Sequence, residues 1–391
     1  MSADERVLII GAGPGGLTLA AALRRHRIAA EVFEQAPRFQ PVGQGLGVQS
    51  NAFRALLGIG IGQSLLEAGD VIESIEFRSH RGDVLARLPQ GEVAKEFGSP
   101  TVSLLRSDLH AALMSAVDES AVHLQSTYVG VEQDEHGVLA RFADGRQERG
   151  TILVGADGVR SRVARTVLNG AAKLRYAGFA AWRCVVTPPE PLLPSDTGRL
   201  YIGGGRANIM FPVGSGRIYS GFVLKSPAGR SDPPSGIKPE LERAFADFPD
   251  VTRRILGLAD SAQLRRTELY DRDPAGPWSN GRVVLVGDAV HPTTPFVGQG
   301  AGIAIEDAIV LAKELSAPGA LHDQQAIEAA FAAYTQRRIE RARWVVKTGR
   351  RRGQAFGLRL APLVQARNRV LSRIPPRVFR QELERLIMHE V

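Results

Sequence analysis

The first forty residues contain the pattern that most constrains the fold. A short apolar run, Arg6–Ile10, is followed by three glycines in a G-x-G-x-x-G spacing, a helix-like segment, Leu17–Arg25, and a second β-rich run, Ala30–Glu34. This order predicts the strand–helix–strand unit that opens a parallel α/β sheet. In such units the first glycine makes a tight turn, the second lets a diphosphate approach the backbone, and the third lets helix and strand pack closely.

The glycine turn and the residue that ends the second strand form a predicted cofactor site. The helix after the turn would direct free N–H groups and the positive end of its dipole at a diphosphate. Glu34 lies about 20 residues beyond the glycines, where a carboxylate can accept hydrogen bonds from ribose hydroxyls. The alternative is a purely structural turn, because the glycine spacing alone is a weak signal. The cofactor-binding residues predicted here are Gly11, Gly13, Pro14, Gly15, Gly16 and Glu34.

Two later strands also end in glycine and aspartate. Thr151–Val154 leads into Gly155–Gly158, and Arg282–Val286 leads into Gly287-Asp288. A side chain at the carboxyl end of a parallel strand faces the crevice in which α/β proteins bind ligands. Asp157, Gly158 and Asp288 are therefore predicted to contact the cofactor. For Asp157-Gly158 a plain turn is an equal alternative, because Asp-Gly is common turn chemistry.

A second glycine-rich segment follows Asp288 and opens a helix. Gly298-Gln299-Gly300-Ala301-Gly302 precedes the apolar, helix-like stretch that ends at Leu315. The N-terminus of such a helix offers N–H donors and a positive dipole end to a group that gains negative charge. The cofactor-binding residues predicted here are Gly298, Gly300, Ala301 and Gly302.

Between the two Asp-containing motifs the chain changes character. From Tyr176 to Leu224 strand-like runs alternate with turns rich in Gly and Pro, as in an antiparallel sheet. We therefore predict an α/β fold in which a Rossmann-like cofactor domain (1–75, 100–175 and 278–350) is interleaved with a mostly antiparallel β-sheet domain (76–99 and 176–277). A helical tail (351–391) follows, and the cleft between the domains is the expected binding site.

Composition excludes several classes of protein. Cys184 is the single cysteine among 391 residues, so neither an intramolecular disulfide nor a cysteine-based metal site can form. The sequence contains no His, Asp or Glu cluster with metal-ligand spacing, and no metal is predicted. One cysteine favours a reducing cytoplasm. No apolar run approaches the ~20 residues that would span a bilayer.

The formal net charge is +8, and much of the excess lies late in the chain. The arginines there alternate with apolar residues along helix-like segments. Solvated helix faces explain this pattern better than nucleic-acid binding, which is not expected. Attraction of an anionic substrate and weak contact of the basic C-terminal tail with an anionic membrane surface are the other options.

Together the motifs resemble the class A flavoprotein aromatic hydroxylases, the family of p-hydroxybenzoate hydroxylase. The resemblance covers nearly the whole chain, with the motifs in the family's order and spacing, and it places Arg106, before a short helix, at the family's FAD-bonding arginine. Ala181-Trp182-Arg183 resembles the substrate-sheet strand of the salicylate, 6-hydroxynicotinate and urate hydroxylases. Val48 to Leu56, Leu109 to Ser120 and the basic tail are most similar to the 2-alkyl-4-quinolone 3-hydroxylases.

The resemblance implies a fold, cofactors and a reaction. FAD would occupy a GR2-type Rossmann-like domain of the p-hydroxybenzoate hydroxylase fold. NADH or NADPH would reduce it, O2 would give C4a-hydroperoxyflavin, and an aromatic or heteroaromatic ring, quinolone-like rings included, would be hydroxylated. A single G-x-G-x-x-G fits a nicotinamide that docks transiently, and it argues against a disulfide reductase with two dinucleotide domains.

The resemblance also suggests residues for substrate and catalysis. Tyr219 lies where urate hydroxylase relatives place a tyrosine near the substrate, and Arg183 can bind a carboxylate or phenolate oxygen. Packing is the alternative for Tyr219, and an ion pair or a contact with FAD is the alternative for Arg183. Some relatives carry a histidine where this chain has Gly47, so that base is absent. The other predicted substrate-contacting residues are Gln49, Trp182, Arg206, Pro295, Phe296 and Val297.

Other functions remain open from the sequence. A flavin epoxidase acting on a non-aromatic substrate would use the same scaffold, and a flavin-bound redox sensor would need no substrate. The expected small molecules are an aromatic substrate and O2, and the chain is expected to be a monomer or a homodimer. His291, beside the Gly-Asp motif, is expected to make a structural hydrogen bond rather than to act as a catalyst.

Overall fold

A computed structural model describes residues 6–39, 44–168, 173–389 and 391. Its strands are β1 (Val7–Ile10), β2 (Ala30–Phe33), β3 (Gly45–Val48), β4 (Asp70–Val71), β5 (Ser74–Ser79), β6 (Val84–Leu88), β7 (Val102–Leu105), β8 (Val122–His123), β9 (Tyr128–Asp134), β10 (Gly137–Phe142), β11 (Gln147–Gly150), β12 (Ile152–Gly155), β13 (Arg175–Val186), β14 (Thr197–Ile202), β15 (Arg206–Pro212), β16 (Ile218–Lys225), β17 (Thr267–Asp271), β18 (Ser279–Asn280) and β19 (Val283–Leu285). Its helices are α1 (Pro14–Arg25), α2 (Ser50–Gly58), α3 (Gly62–Ala68), α4 (Gln90–Phe97), α5 (Arg106–Ser115), α6 (Val163–Leu168), α7 (Lys238–Ala244), α8 (Asp250–Leu258), α9 (Gly300–Leu315), α10 (Gln324–Phe356), α11 (Ala361–Arg373) and α12 (Pro376–Ile387).

The first sheet carries the three glycine-containing motifs. Its strand order is β18-β19-β12-β1-β2-β8, and the pairs from β19 to β8 are parallel. Strands β1, β12 and β19 are buried along their whole length, which is why they appear in the sequence as continuous apolar runs. The parallel arrangement brings the carboxyl ends of these three strands to one edge.

The second sheet has the order β17-β13-β16-β15-β14-β5-β6 and is antiparallel except for the β14–β5 pair. One of its faces packs against α7 and α8 through a core that includes Phe222, Phe245 and Ile255. Because side chains alternate along a strand, the other face is free to line a cavity toward the first sheet. The predicted α/β architecture, with a mostly antiparallel sheet inserted between cofactor motifs, is confirmed.

A small sheet, β3-β7-β4, lies between the two larger ones. Strand β3 is rich in glycine and carries no clear strand signal in the sequence. Gly45 is required there, because a Cβ atom on it would lie 2.5 Å from Cβ of Tyr219. Gly45 thus permits the close approach of the two sheets.

The C-terminal helices close the molecule. The predicted boundary at residue 350 falls inside α10, which continues to Phe356. Helices α11 and α12 carry a proline in the first turn, a position where the missing N–H has no cost, and both helices pack on β6. Within the described residues, no helix is both long and apolar enough to cross a bilayer.

Candidate functional site

The glycine turn after β1 has the geometry of a diphosphate cradle. Gly11 has a φ of +109°, and a Cβ on Gly16 would lie 2.0 Å from the Gly11 carbonyl oxygen. A Cβ on Gly13 would meet no atom within 4 Å. Gly11 and Gly16 are therefore glycines for reasons of the protein's own packing, whereas Gly13 borders open space beside the N-terminus of α1.

Pro14 begins α1, and Gly15 follows it against Ala304 of α9, at the ordinary contact distance of 3.4 Å from a built Cβ. Glu34 lies across the turn. Its carboxylate accepts hydrogen bonds from the N–H groups of Ala12 and Ala36, both at 2.9 Å. These bonds fix Glu34 beside the cradle at the end of β2, where the sequence placed it.

The Asp157 carboxylate stabilises the turn that contains it. It accepts hydrogen bonds from the Ser161 hydroxyl and from the backbone N–H groups of Arg162 (2.7 Å) and Val163 (3.2 Å). Gly158 takes a φ of +79°, which favours glycine. The turn that the sequence left as an alternative accounts for both residues.

Asp288 faces the crevice at the end of β19. Its Oδ1 atom is shielded from solvent and has no hydrogen-bond partner within the described part of the chain. Burial raises the pKa of Asp288 to about 6, although His291 and Arg106 act to lower it. A buried, unsatisfied carboxylate oxygen at this position suits a ligand that donates a hydroxyl.

His291 is held by a buried carboxylate, as expected. Its Nε2 lies 2.5 Å from Oδ2 of Asp307, which also accepts from the Gly287 N–H at 2.9 Å. The Nε of Arg338 donates to Oδ1 of Asp307 at 2.8 Å. Burial alone would raise the pKa of Asp307, but His291 and Arg338 lower it to about 2. The carboxylate stays ionised and fixes the Gly287-Asp288 turn.

A chain of amide groups orients the segment before α9. Nδ2 of Asn51 donates to Oε1 of Gln299 at 2.9 Å, Nε2 of Gln299 donates to Oε1 of Gln49 at 2.6 Å, and Nε2 of Gln49 donates to the carbonyl oxygens of Val297 and Gly298. These bonds hold both carbonyls on the Gln49 side. The N–H groups at the start of α9, from Gly300 to Gly302, are then free to face the crevice.

A buried ion cluster sets the direction of this amide chain. Glu306 of α9 can only accept hydrogen bonds, and it accepts from Asn51 at 2.5 Å and from Arg341 at 3.0 Å. The second donor of Asn51 therefore points to Gln299. Arg341 also donates to the carbonyls of Arg385 and Leu386 in α12, so the same cluster anchors the C-terminal helix.

One continuous cavity of about 910 Å³ joins the crevice to the second sheet. Arg106, Asp288, Gly298, Gly300 and Ala301 line one end of it. The wall of the other end includes the apolar residues Leu200, Ile209, Phe211, Leu269, Phe296 and Val297, and it also includes the charged residues Arg199, Arg230, Arg266 and Glu268. Gln49 and Pro295 also line the cavity, at the junction of the two ends. The structure thus brings these predicted residues to one site.

Arg183 and Tyr219 lie together on the apolar wall. Burial raises the pKa of the Tyr219 hydroxyl, against the lowering effect of the nearby Arg183 guanidinium. Within the described ranges, no carboxylate forms an ion pair with Arg183, although one was the expected alternative. A cation without a counterion in an apolar wall attracts an oxygen that carries negative charge.

Two predicted substrate contacts were wrong. Trp182 alternates with Arg183 on β13 and therefore points to the opposite face, where its Nε1 donates to Asp232 at 2.8 Å. Arg206 points to that same face, and its guanidinium pairs with Asp247 at 2.8 and 2.9 Å. Neither residue lines the cavity.

Some residues of the site were not predicted. Asn51, Gln299 and Glu306 act through neighbours, and polar residues inside helix-like segments carry no distinct sequence signal. Phe379, Leu383 and Leu386 of α12 close one side of the cavity. The apolar spacing in this last helix indicated a buried face, but not what that face covers.

The site fits FAD. Gly13 leaves space for a diphosphate, Asp288 offers an unused acceptor to a ribityl hydroxyl, and the N-terminus of α9 opens on the same cavity. Among the described residues, no group of three or more His, Cys, Asp or Glu side chains could hold a metal ion. The space at Gly13, the free Asp288 oxygen and the start of α9 together fit an organic cofactor that contains a diphosphate and hydroxyl groups.

Comparison with known proteins agrees with this geometry. Residues 4–348 match the family model described as "FAD binding domain". The chain is 36% identical to the aurachin C monooxygenase/isomerase of Stigmatella aurantiaca, over 90% of each chain. It is 38% identical to the 3-amino-4-hydroxybenzoate 2-monooxygenase of Streptomyces cremeus, over 91% of this chain and 88% of the relative.

A solved structure shows the same arrangement. Klebsiella pneumoniae HpxO, crystallised with FAD and uric acid, superimposes with a TM-score of 0.89 at 27% identity and covers 98% of this chain and 97% of its own. A salicylate hydroxylase substrate complex has the same fold, with a TM-score of 0.76 at 24% identity, 100% of each chain being covered.

Proposed function

Because this chain belongs to the FAD-dependent monooxygenases that act on aromatic and heteroaromatic rings, we propose that it hydroxylates a largely apolar, quinolone-like ring with NADH or NADPH as reductant. The observation that carries the proposal is a cavity lining that is more apolar than polar, in which Arg183 and Tyr219 lie side by side.

The cofactor would lie along the crevice. Gly11 to Gly16 and the start of α1 would hold the diphosphate, and Glu34 would hold the ribose. Arg106 and Asp288 would hold the part of FAD between the diphosphate and the flavin ring. When bound and reduced, FAD supplies activated oxygen for insertion into the substrate. The N–H groups at the start of α9 would stabilise negative charge on its pyrimidine edge.

The protein's own contribution is to orient the substrate and to keep the site dry. The Arg183 guanidinium would bind a carbonyl or phenolate oxygen of the substrate. The Tyr219 hydroxyl, which lies beside the Arg183 guanidinium, would be a second donor to that oxygen. Pro295, Phe296 and Val297 would exclude water from the face where oxygen is inserted.

The test is a substrate panel. FAD-loaded protein is given NADH or NADPH together with 2-alkyl-4-quinolones, urate, 6-hydroxynicotinate or 3-amino-4-hydroxybenzoate. Consumption of the reductant and incorporation of ¹⁸O from ¹⁸O2 are measured. We expect a quinolone-like ring to stimulate consumption and to gain one oxygen.

Three results would contradict the proposal. Turnover limited to the small hydrophilic acids would refute the apolar ring while leaving the oxygenase in place. Slow oxidation of NAD(P)H that no ligand stimulates, without an oxygenated product, would favour the redox sensor. An epoxide formed from an alkene would favour the epoxidase. The cytoplasmic location and the monomeric or homodimeric state remain predictions.

A further inference from the structure

Helix α11 exposes an apolar stripe on its outer side. Leu363, Ala366 and Val370 are spaced three and four residues apart, and Leu363 and Val370 are 47% and 61% exposed. Leu360, just before the helix, is 67% exposed. Aliphatic side chains at this spacing normally face a core, so an outward stripe on a well-packed helix suggests a partner.

The orientation of this stripe is fixed by the opposite face of the helix. Arg367 points inward, is buried, and donates to the carbonyls of Gly203 and Ala355, both at 3.2 Å. Val364, three residues earlier, is buried beside it. Rotating α11 to hide Leu363 and Val370 would expose Val364 and break the Arg367 hydrogen bonds.

The charge around the stripe has one sign. Residues 341–381 contain twelve Arg and Lys residues and no Asp or Glu. Several of these cations pair with carboxylates elsewhere, as Arg350 does with Asp271 and Arg352 with Glu382. Arg369, Arg373 and Arg377 are exposed, and no carboxylate of the described chain pairs with them. The charges of these three arginines are therefore available to bind an anionic partner.

We propose that this face docks on an anionic lipid bilayer surface. We call it the basic apolar face and define it as Leu360, Leu363, Arg369, Val370, Arg373 and Arg377. The aliphatic side chains enter the boundary between headgroups and acyl chains, and the guanidinium groups bind lipid phosphates.

The charge pattern argues against other occupants. In a symmetric dimer of this chain the same face would meet itself, and its arginines would oppose arginines without a neighbouring acid. A nucleic acid would use the cations, but the aliphatic stripe offers it no aromatic stacking surface. An anionic bilayer surface with an apolar interior satisfies both halves of the face.

The location gives docking a consequence. Helix α12 packs on β6 next to α11, and its Phe379, Leu383 and Leu386 line the cavity. A bilayer against α11 therefore lies close to a wall of the ligand site. The docking proposal itself does not depend on which ring is hydroxylated.

The experiment is sedimentation of the full-length, FAD-loaded protein with vesicles. Vesicles of phosphatidylcholine alone are compared with vesicles that contain phosphatidylglycerol, at low and at physiological salt. We expect binding that requires phosphatidylglycerol and weakens with salt. Leu363→Ser/Val370→Ser and Arg369→Gln/Arg373→Gln should each lower the partition coefficient roughly tenfold or more.

Matched double variants on other surfaces serve as controls. Val129→Ser/Leu258→Ser removes aliphatic side chains of similar exposure, and Arg253→Gln/Arg254→Gln removes two exposed cations of α8. Both should bind vesicles as the wild type does. Flavin absorbance that is unchanged in all four variants shows that they fold.

Several outcomes would overturn the proposal. These are no sedimentation with phosphatidylglycerol, equal sedimentation with neutral vesicles, or α11 variants that bind like the controls. A concentration-dependent dimer in light scattering, or retention of duplex DNA, that the α11 variants alone abolish would assign the face to a second copy or to a nucleic acid instead.

Discussion

At the scale of single residues, the Tyr219 hydroxyl is suited to donate a hydrogen bond and unsuited to act as a base. Burial raises its pKa, although the nearby Arg183 guanidinium acts to lower it, so the hydroxyl stays protonated at neutral pH. The polar pair would therefore stabilise a negative oxygen on the substrate. Any deprotonation of the substrate would reflect a lower pKa of the bound ring.

We expect Arg183→Gln to lower kcat/KM by roughly ten- to a hundredfold, because a charged hydrogen bond to the substrate is lost. Tyr219→Phe should lower it less, because Arg183 remains. Steady-state kinetics on the substrate identified by the panel checks both. Tyr201→Phe, on a buried tyrosine of the neighbouring core, is the control. Equal activity of Arg183→Gln and wild type would show that Arg183 does not bind the substrate.

Asn51 is a positioning residue for the segment before α9. We expect Asn51→Leu to leave Gln299 without its partner and to let the carbonyls of Val297 and Gly298 rotate. The Kd for FAD should rise on the order of tenfold, equivalent to about 1.4 kcal/mol, and the flavin absorption spectrum should shift. Both are measured by titration of the apoprotein with FAD.

The control for this variant is Asn208→Leu. Asn208 is fully buried in the second sheet and hydrogen-bonds Ser220, Gly221 and Thr252. Its loss should destabilise the protein by a similar amount, about 1–3 kcal/mol, without changing the flavin spectrum. If Asn51→Leu behaves in the same way, its role is structural only.

At the scale of elements, two glycines of the first turn are expected to have different roles, Gly16 in packing and Gly13 in cofactor binding. Gly16→Ala places a Cβ 2.0 Å from the Gly11 carbonyl oxygen, whereas Gly13→Ala meets no protein atom within 4 Å. We expect Gly16→Ala to lower the free energy of unfolding of the apoprotein by more than about 2 kcal/mol. Gly13→Ala should change it by less than about 0.5 kcal/mol.

FAD binding should show the converse for Gly13→Ala. The added methyl group would occupy the space beside the start of α1, so the Kd for FAD should rise at least about tenfold, or about 1.4 kcal/mol. Urea unfolding of the apoprotein and FAD titration measure the two effects separately. Wild-type affinity in Gly13→Ala would show that the diphosphate lies elsewhere.

Element prediction from the sequence succeeded where periodicity and turn chemistry agreed. The strands before Gly11, Gly155 and Gly287 are apolar, short and followed by glycine, so their place in a parallel sheet could be inferred. Strand β3 and helix α4 were missed. In β3, Gly45 is required by a close tertiary contact with Tyr219, which the sequence does not show. Helix α4 lacks a side-chain N-cap and follows directly after a strand, so its start has no sequence signal.

The candidate site could likewise be predicted only where local sequence patterns fix the position of a residue. Residues whose backbone position alone places them at the crevice, such as Gly13 and Asp288, could be identified from motif order. Trp182 and Arg206 could not, because their direction depends on which face of a strand meets the cavity. That direction is set by pairing with β16, a contact between distant parts of the chain.

At the scale of the whole molecule, a buried ion cluster connects the cofactor turn with the C-terminal helices. Asp307 has a folded-state pKa of about 2, against an ordinary value of 3.8. Because the unfolded chain binds the proton more tightly, Asp307 contributes stability above about pH 4 that is lost as the pH falls toward 2. This contribution is on the order of 2 kcal/mol.

We expect Asp307→Asn to lower the free energy of unfolding by about 3 kcal/mol or more near neutral pH, because Arg338 loses a buried counterion. The difference from wild type should shrink by roughly 2 kcal/mol between about pH 4 and pH 2. Urea unfolding across this range measures it. Glu314 lies on the same helix as Asp307, α9, and forms a surface ion pair with Arg337 of α10. Glu314→Gln removes that pair and should cost less than about 1 kcal/mol.

A difference between wild type and Asp307→Asn that stays constant from pH 4 to pH 2 would contradict the low pKa of this carboxylate. A loss near neutral pH no larger than that of Glu314→Gln would show that the buried cluster is not what fastens the helices to the cofactor turn.

The two helix starts that face the crevice, α1 and α9, are encoded at opposite sides of the inserted sheet. A nascent chain that has released Gly11 to Gly16 from the ribosome still lacks Asp288 and the start of α9. Capture of the yellow cofactor must therefore await synthesis of most of the polypeptide. Once captured, it would also act as a clamp between early and late segments, so a protease cut in the inserted sheet should leave two fragments that stay together while the flavin remains.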